Sequence, residues 1–122
     1  MALKLSPRQL QQLSYLETLP IKFSLIGRVI EQMANLQADE TSVRAMCRQL
    51  DEIKAGAGQL GLGAVAEAAG HMVTLARRSG GVQMRVRGMR ELLGSMKTNY
   101  EGAVRAASTP QPLSDAGDGP SA

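Results

Sequence analysis

Between Val82 and Ala103 the apolar residues fall at spacings of four and three: Val82, Val86, Met89, Leu93, Met96, Tyr100 and Ala103. This is the period of a helix with one buried face, held for about six turns. A stripe of that length needs other helices to cover it, and the rest of the chain supplies them. Leu25, Ile26, Val29, Ile30, Met33 and Leu36 follow the same rule after Pro20. Val43, Met46, Leu50, Ile53, Ala57 and Leu60 make a third stripe, and Val65, Ala69, Met72 and Ala76 a fourth. Ser6-Pro7 reads as N-cap and first position of a shorter helix ending near Leu19, with Leu10, Leu13 and Leu16 on one face. "QADET" breaks the pattern after Leu36, so Asp39 or Thr41 caps the third helix. Gly61-Leu62-Gly63 is a tight reversal, and Ser79-Gly80-Gly81 closes the fourth helix.

Short connections between long amphipathic helices imply antiparallel neighbours. The expected fold is all-α: an antiparallel up-and-down four-helix bundle with a short additional N-terminal helix, over residues 1–107. From Ser108 the composition turns to Pro, Gly, Ser and Asp, which reads as a disordered tail over 108–122. The chain of 122 residues has one Phe, two Tyr, no Trp and 7 Met, a core composition that suits helices better than sheets. A lone Cys47 excludes an internal disulfide and points to a reducing, cytoplasmic setting. No apolar run approaches the roughly 18 residues of a membrane span. Residues 1–20 carry charges and glutamines where a signal peptide would be apolar.

The densest glycine cluster, "KAGAGQLGLG" at 54–63, contains a GxGxxG string. A dinucleotide site needs a strand before such glycines and an acid about 20 residues later. Here a helical stripe precedes them, and Gly80-Gly81 stand where the acid belongs. No Gly-Lys-Ser/Thr follows to make a P-loop, so nucleotide binding is set aside. Gly56 and Gly58 nonetheless sit inside a helix, each costing about 1 kcal/mol relative to Ala. Two explanations remain open: close packing of the fourth helix, or a landing surface for a partner. Asp51, Ala55 and Gly58 share one side of the third helix, forming a low strip with a single carboxylate.

The segment "LDEIKAGAGQLGLGAVAEAAGHMVTLARR" resembles the core of histidine-containing phosphotransfer (HPt) domains. Ile53 and Lys54 align with the Leu and Lys of the family's His-x-Leu-Lys-Gly motif. Ala55 falls on its Gly, Gly58 on a small residue, and Leu60-Gly61 on its Leu-Gly turn. The similarity extends over about residues 20–106. It implies a four-helix bundle of two-component or phosphorelay signalling whose partners are response-regulator receiver domains or histidine kinases. The family's phosphorylated His is replaced by Asp51. A carboxylate is a poor substitute, because an anionic nucleophile and an anionic phosphate repel without a metal, and Glu52 points about 100° away on the helix. Asp51 is therefore read as a docking residue, in a non-transferring, non-enzymatic module that binds through Asp51, Lys54, Ala55, Gly58 and His71.

His71 offers an alternative acceptor. It lies ten residues after Gly61 and Asp51 ten before, so the two are expected at similar heights beside the turn. It sits about 130° from the core line of its helix, hence exposed. An accessible imidazole is chemically competent to take a phosphoryl group. Cys47 reads as a packing residue near the edge of its stripe, and the methionines as core. Neither HExxH, CxxC nor paired carboxylates occur, so no metal or other cofactor is expected. Finally, Arg77, Arg78, Arg85, Arg87, Arg90 and Lys97 face a single acid, Glu91, in the same interval. That bias leaves a further alternative: a helical scaffold or nucleic-acid-binding face, with nucleic acid disfavoured because no aromatic residues interleave.

Overall fold

Two side-chain caps start helices where the sequence pattern places them. The computed structural model describes residues 3–78 and 80–112. Helix α1 (Pro7–Leu16) begins with a capping box: Ser6 Oγ accepts from the Gln9 backbone N–H at 3.0 Å, and Gln9 Oε1 accepts from the Ser6 N–H at 2.8 Å. Helix α3 (Glu40–Gln59) is capped by Asp39, whose carboxylate accepts from the Ser42 N–H at 2.7 Å, leaving Thr41 inside the helix. That bond holds the Asp39 carboxyl below the usual carboxylate range. Helices α2 (Leu19–Ala34), α4 (Gly63–Ala76) and α5 (Val82–Ser108) complete the set. Ser79, expected to close α4 with the two glycines, lies outside the described residues.

Among the described residues the chain is all-helical apart from a two-residue strand pair. β1 (Leu3–Lys4) and β2 (Gln111–Pro112) run antiparallel and join the segment before α1 to the segment after α5. Helix α5 includes Ser108 and Gln111–Pro112 pairs with β1, so residues 108–112 of the expected disordered tail are part of the described structure. Residues 113–122 of the expected tail lie outside the described residues. None of the described helices is long and apolar enough to cross a membrane.

Helices α2, α3, α4 and α5 pack against one another. α4 has α3 and α5 as its main neighbours, and α2 touches both α3 and α5. Their expected stripes meet inside: Ile26 and Ile30, Leu50 and Ile53, Ala69 and Met72, Met89 and Met96 are all buried. Two of the three aromatic rings, Phe23 on α2 and Tyr100 on α5, stack edge-to-face at 5.4 Å.

Three expected core positions lie outside. Leu10 is 55% exposed, and Gln9 occupies the buried side of α1 instead. Its amide donates to the Ala106 and Thr109 carbonyls at 3.2 and 2.8 Å, serving the carbonyl end of α5. Leu25 lies at the edge of the α2–α3 contact and is 42% exposed. Leu36 is beyond the end of α2, 77% exposed and in the left-handed region at φ 58°. Its N–H donates to Met33 O and that of Gln37 to Gln32 O, the paired bonds of a Schellman ending. Glycine is favoured at such a position, and leucine there carries a Cβ penalty.

The glycines around residue 60 have separate explanations. Gly61 (φ 74°) ends α3 in a second Schellman motif, with Gly61 N–H to Gly58 O at 3.2 Å and Leu62 N–H to Ala57 O at 2.8 Å. Gly56 faces α1: a Cβ there would stand 2.7 Å from a ring carbon of Tyr15. The Tyr15 hydroxyl donates to Ile53 O at 3.2 Å, and burial raises its pKa against the opposing hydrogen bond at the Ala57 backbone. Close approach does account for Gly56, but the approaching helix is α1 rather than α4.

Gly56→Ala is expected to destabilise by about 1–3 kcal/mol through overpacking, although alanine is the better helix former. Gly58→Ala, with nothing within 4 Å of the added carbon, should stabilise by up to about 1 kcal/mol. In a Tyr15→Ala background the penalty at Gly56 should vanish, and urea denaturation of the double-mutant cycle measures this. Leu36→Gly should stabilise by up to about 1 kcal/mol in the same assay, despite glycine's greater freedom in the unfolded chain.

Candidate functional site

The first half of α3 lies beside the end of α4, and its last turns beside the beginning. The α3–α4 seam therefore divides into two stretches along its length. At the stretch nearer the turn, Lys54 and Gly58 from α3 line an open groove with Glu67, Gly70 and His71 from α4. The small residues make its floor. The Lys54 stem passes over Gly70, whose missing Cβ would be 3.5 Å from Lys54 Cδ and Cε. Gly58 presents open space, and His71 is exposed at the groove edge.

Asp51 is exposed but outside this groove. Its Oδ2 pairs with an Arg77 Nη at 3.3 Å, joining α3 to the C-terminal end of α4. Both partners are solvated, so the pair contributes little to stability. Asp51 and His71 share neither an ion pair nor a hydrogen bond among the described residues. Asp51 is instead engaged by Arg77, and it is Lys54 and Gly58 that line the groove with Gly70 and His71. Ala55 is exposed on α3, away from the groove lining. The five site residues expected from sequence thus divide into Lys54, Gly58 and His71 in one groove, with Asp51 and Ala55 beside it.

Cys47, one turn before Asp51, is 4% exposed and belongs to the core. Burial pushes its thiol pKa up, Arg77 opposes the rise, and Asp51 adds to it. A thiol so placed is a weak nucleophile.

The basic interval from Arg77 to Lys97 is partly consumed within the molecule. Arg90 makes a bidentate pair with Glu31 of α2 at 2.7 and 2.9 Å, which lowers the Glu31 pKa and raises that of Arg90. Arg85 donates to the Ala76 carbonyl at 3.0 Å, closing the end of α4, while Arg77 holds Asp51. Arg78, Arg87 and Lys97 make no ion pair among the described residues. Within the interval, Arg77, Arg85 and Arg90 are thus engaged inside the molecule, and Arg78, Arg87 and Lys97 are exposed.

Compared with known proteins, the chain matches no family model, no curated protein and no solved structure. The resemblance to HPt domains rests on the residues themselves.

The raised Cys47 pKa has a measurable consequence. Thiol labelling of the native protein should be slow near neutrality and rise only above the ordinary thiol range. Replacing Arg77 with Ala should move that profile higher still, because the cation opposing the shift is gone. The sign for stability follows: the folded state disfavours thiolate, so stability is full below the ordinary thiol pKa and falls as pH rises through the folded value.

Proposed function

We propose that this chain is a non-transferring, HPt-like module, an antiparallel up-and-down four-helix bundle that docks a receiver domain or a histidine kinase. Asp51, Lys54, Ala55, Gly58 and His71 form the docking surface. The observation that carries the reading is the bare ground at Gly58 beside the exposed Lys54: small residues let a partner's backbone approach, and a cation meets its acidic groups. With Asp51 at the family's histidine position and held by Arg77, the module binds without passing a phosphoryl group on. It would compete with a true phosphotransfer protein or act as an adaptor, and it needs no cofactor.

One observation favours a second reading, in which the module transfers phosphate through His71. That imidazole is exposed in the groove containing Lys54, whose ammonium could offset charge on an incoming phosphoryl group. The ring nitrogen would attack phosphorus, and the P–O bond to the receiver's aspartate would break with the electron pair leaving on the carboxylate.

Phosphotransfer from receiver domains charged with radiolabelled acetyl phosphate separates the two readings. The expected outcome is no label on the wild type and clear label on Asp51→His. Label on the wild type that disappears in His71→Ala would replace the first reading with the second. Gly58→Trp should abolish receiver binding in either case while helical CD and melting remain those of the wild type; retained binding would remove the groove from the docking surface.

A further inference from the structure

The other stretch of the α3–α4 seam has a different chemistry. Arg44, Arg48 and Arg77 all line a groove of ≈ 480 Å³ there, in which Glu40 is the one acidic lining residue among the described residues. We propose that this groove binds a phosphate chain, meaning two or three linked phosphate groups, through these three guanidinium groups. The proposal shares one pair with the docking reading, since Arg77 holds Asp51 of that surface, and otherwise uses the other stretch of the seam.

Arg77 by itself has an ordinary explanation, since a cation at a helix C-terminus complements the helix dipole. Arg48 does not. It is exposed, makes no ion pair among the described residues, and stands one turn from Arg44, a like-charge spacing that mildly opposes the helix. Arg77, brought in from α4, adds a third cation. The existing partners are replaceable: Glu40 holds Arg44 at 3.1 Å and Asp51 holds Arg77 at 3.3 Å, all with well-solvated side chains. A phosphate offers guanidinium a bidentate, doubly charged acceptor that surface carboxylates do not match.

The shape favours a small ligand over a polynucleotide. The groove is concave and falls within the roughly 300–1,000 Å³ of small-molecule sites. Among the more distal cations, Arg90 is committed to Glu31 rather than extending the groove along a duplex. Among the described residues no aromatic side chain lines the groove to stack a nucleobase. Recognition should therefore stop at the phosphates and ignore whatever they are attached to.

Calorimetric titration of the full chain at low salt tests this, with inorganic triphosphate, ATP, sulfate and a short DNA duplex as separate ligands. Triphosphate and ATP should bind once per chain with similar affinity, and sulfate far more weakly. Arg48→Ala should weaken both by about tenfold, the loss of one charge-assisted contact, with melting unchanged. Arg87→Ala, outside the groove, should have no effect, and Glu40→Gln should tighten binding. No saturable heat with triphosphate overturns the proposal, as does an equal loss in the two arginine variants. Sulfate binding as tightly as triphosphate would reduce the groove to a general anion patch. ATP binding without triphosphate binding would place recognition on the nucleoside, and duplex binding without triphosphate binding would assign the arginines to nucleic acid; each refutes a phosphate-chain site.

Discussion

The reversal between α3 and α4 is the constraint on which the other placements depend. Gly61 alone in that turn takes a left-handed backbone, allowing the paired bonds that stop α3 and return the chain alongside it. Helix α1 then locks the corner. Arg8 and Gln12 both donate to the Leu60 carbonyl, at 3.2 and 2.8 Å, and Tyr15 lies on the bare backbone at Gly56. The carbonyl end of α3, which a helix leaves without internal partners, is satisfied by side chains from an element far away in sequence. The α3–α4 register, and hence the membership of each groove, follows from this corner.

The same device recurs at the other helix ends. Gln9 serves the last carbonyls of α5, Arg85 donates to the end of α4, and Gln83 donates to Ala34 O at the end of α2. Polar side chains that a sequence pattern assigns to solvent are thus used to complete backbone hydrogen bonding. The basic interval from Arg77 to Lys97 is drawn on in the same way. Its cations are divided among a helix terminus, two carboxylates and open solvent.

The candidate groove is legible in part from the sequence. Lys54, Gly58 and His71 were identifiable from spacing and from the likeness to phosphotransfer domains, and the structure brings those three to one groove. Counting residues from Gly61 puts Asp51 and His71 at similar heights but does not say which side chain reaches which, and Arg77 is the partner that Asp51 takes. Arg44 and Arg48 show the converse: their one-turn spacing was visible in the sequence, yet nothing there said that Arg77 would join them. The apolar period runs on to Leu36, past Ala34, where the backbone has already left the helix.

Apolar period, two cap residues and a glycine at a turn were enough to determine the all-helical class, the approximate span of each helix and most of the buried stripe. Those features are local, set by the 3.6-residue repeat and by which backbone groups a nearby side chain can reach. Only the tertiary structure decided that Gly56 exists for Tyr15, that Gln9 is buried, and that the seam has one groove with an imidazole and another with three guanidiniums. Each depends on contacts between residues distant in the chain, and such contacts are set by packing and helix-end hydrogen bonding that no single segment encodes.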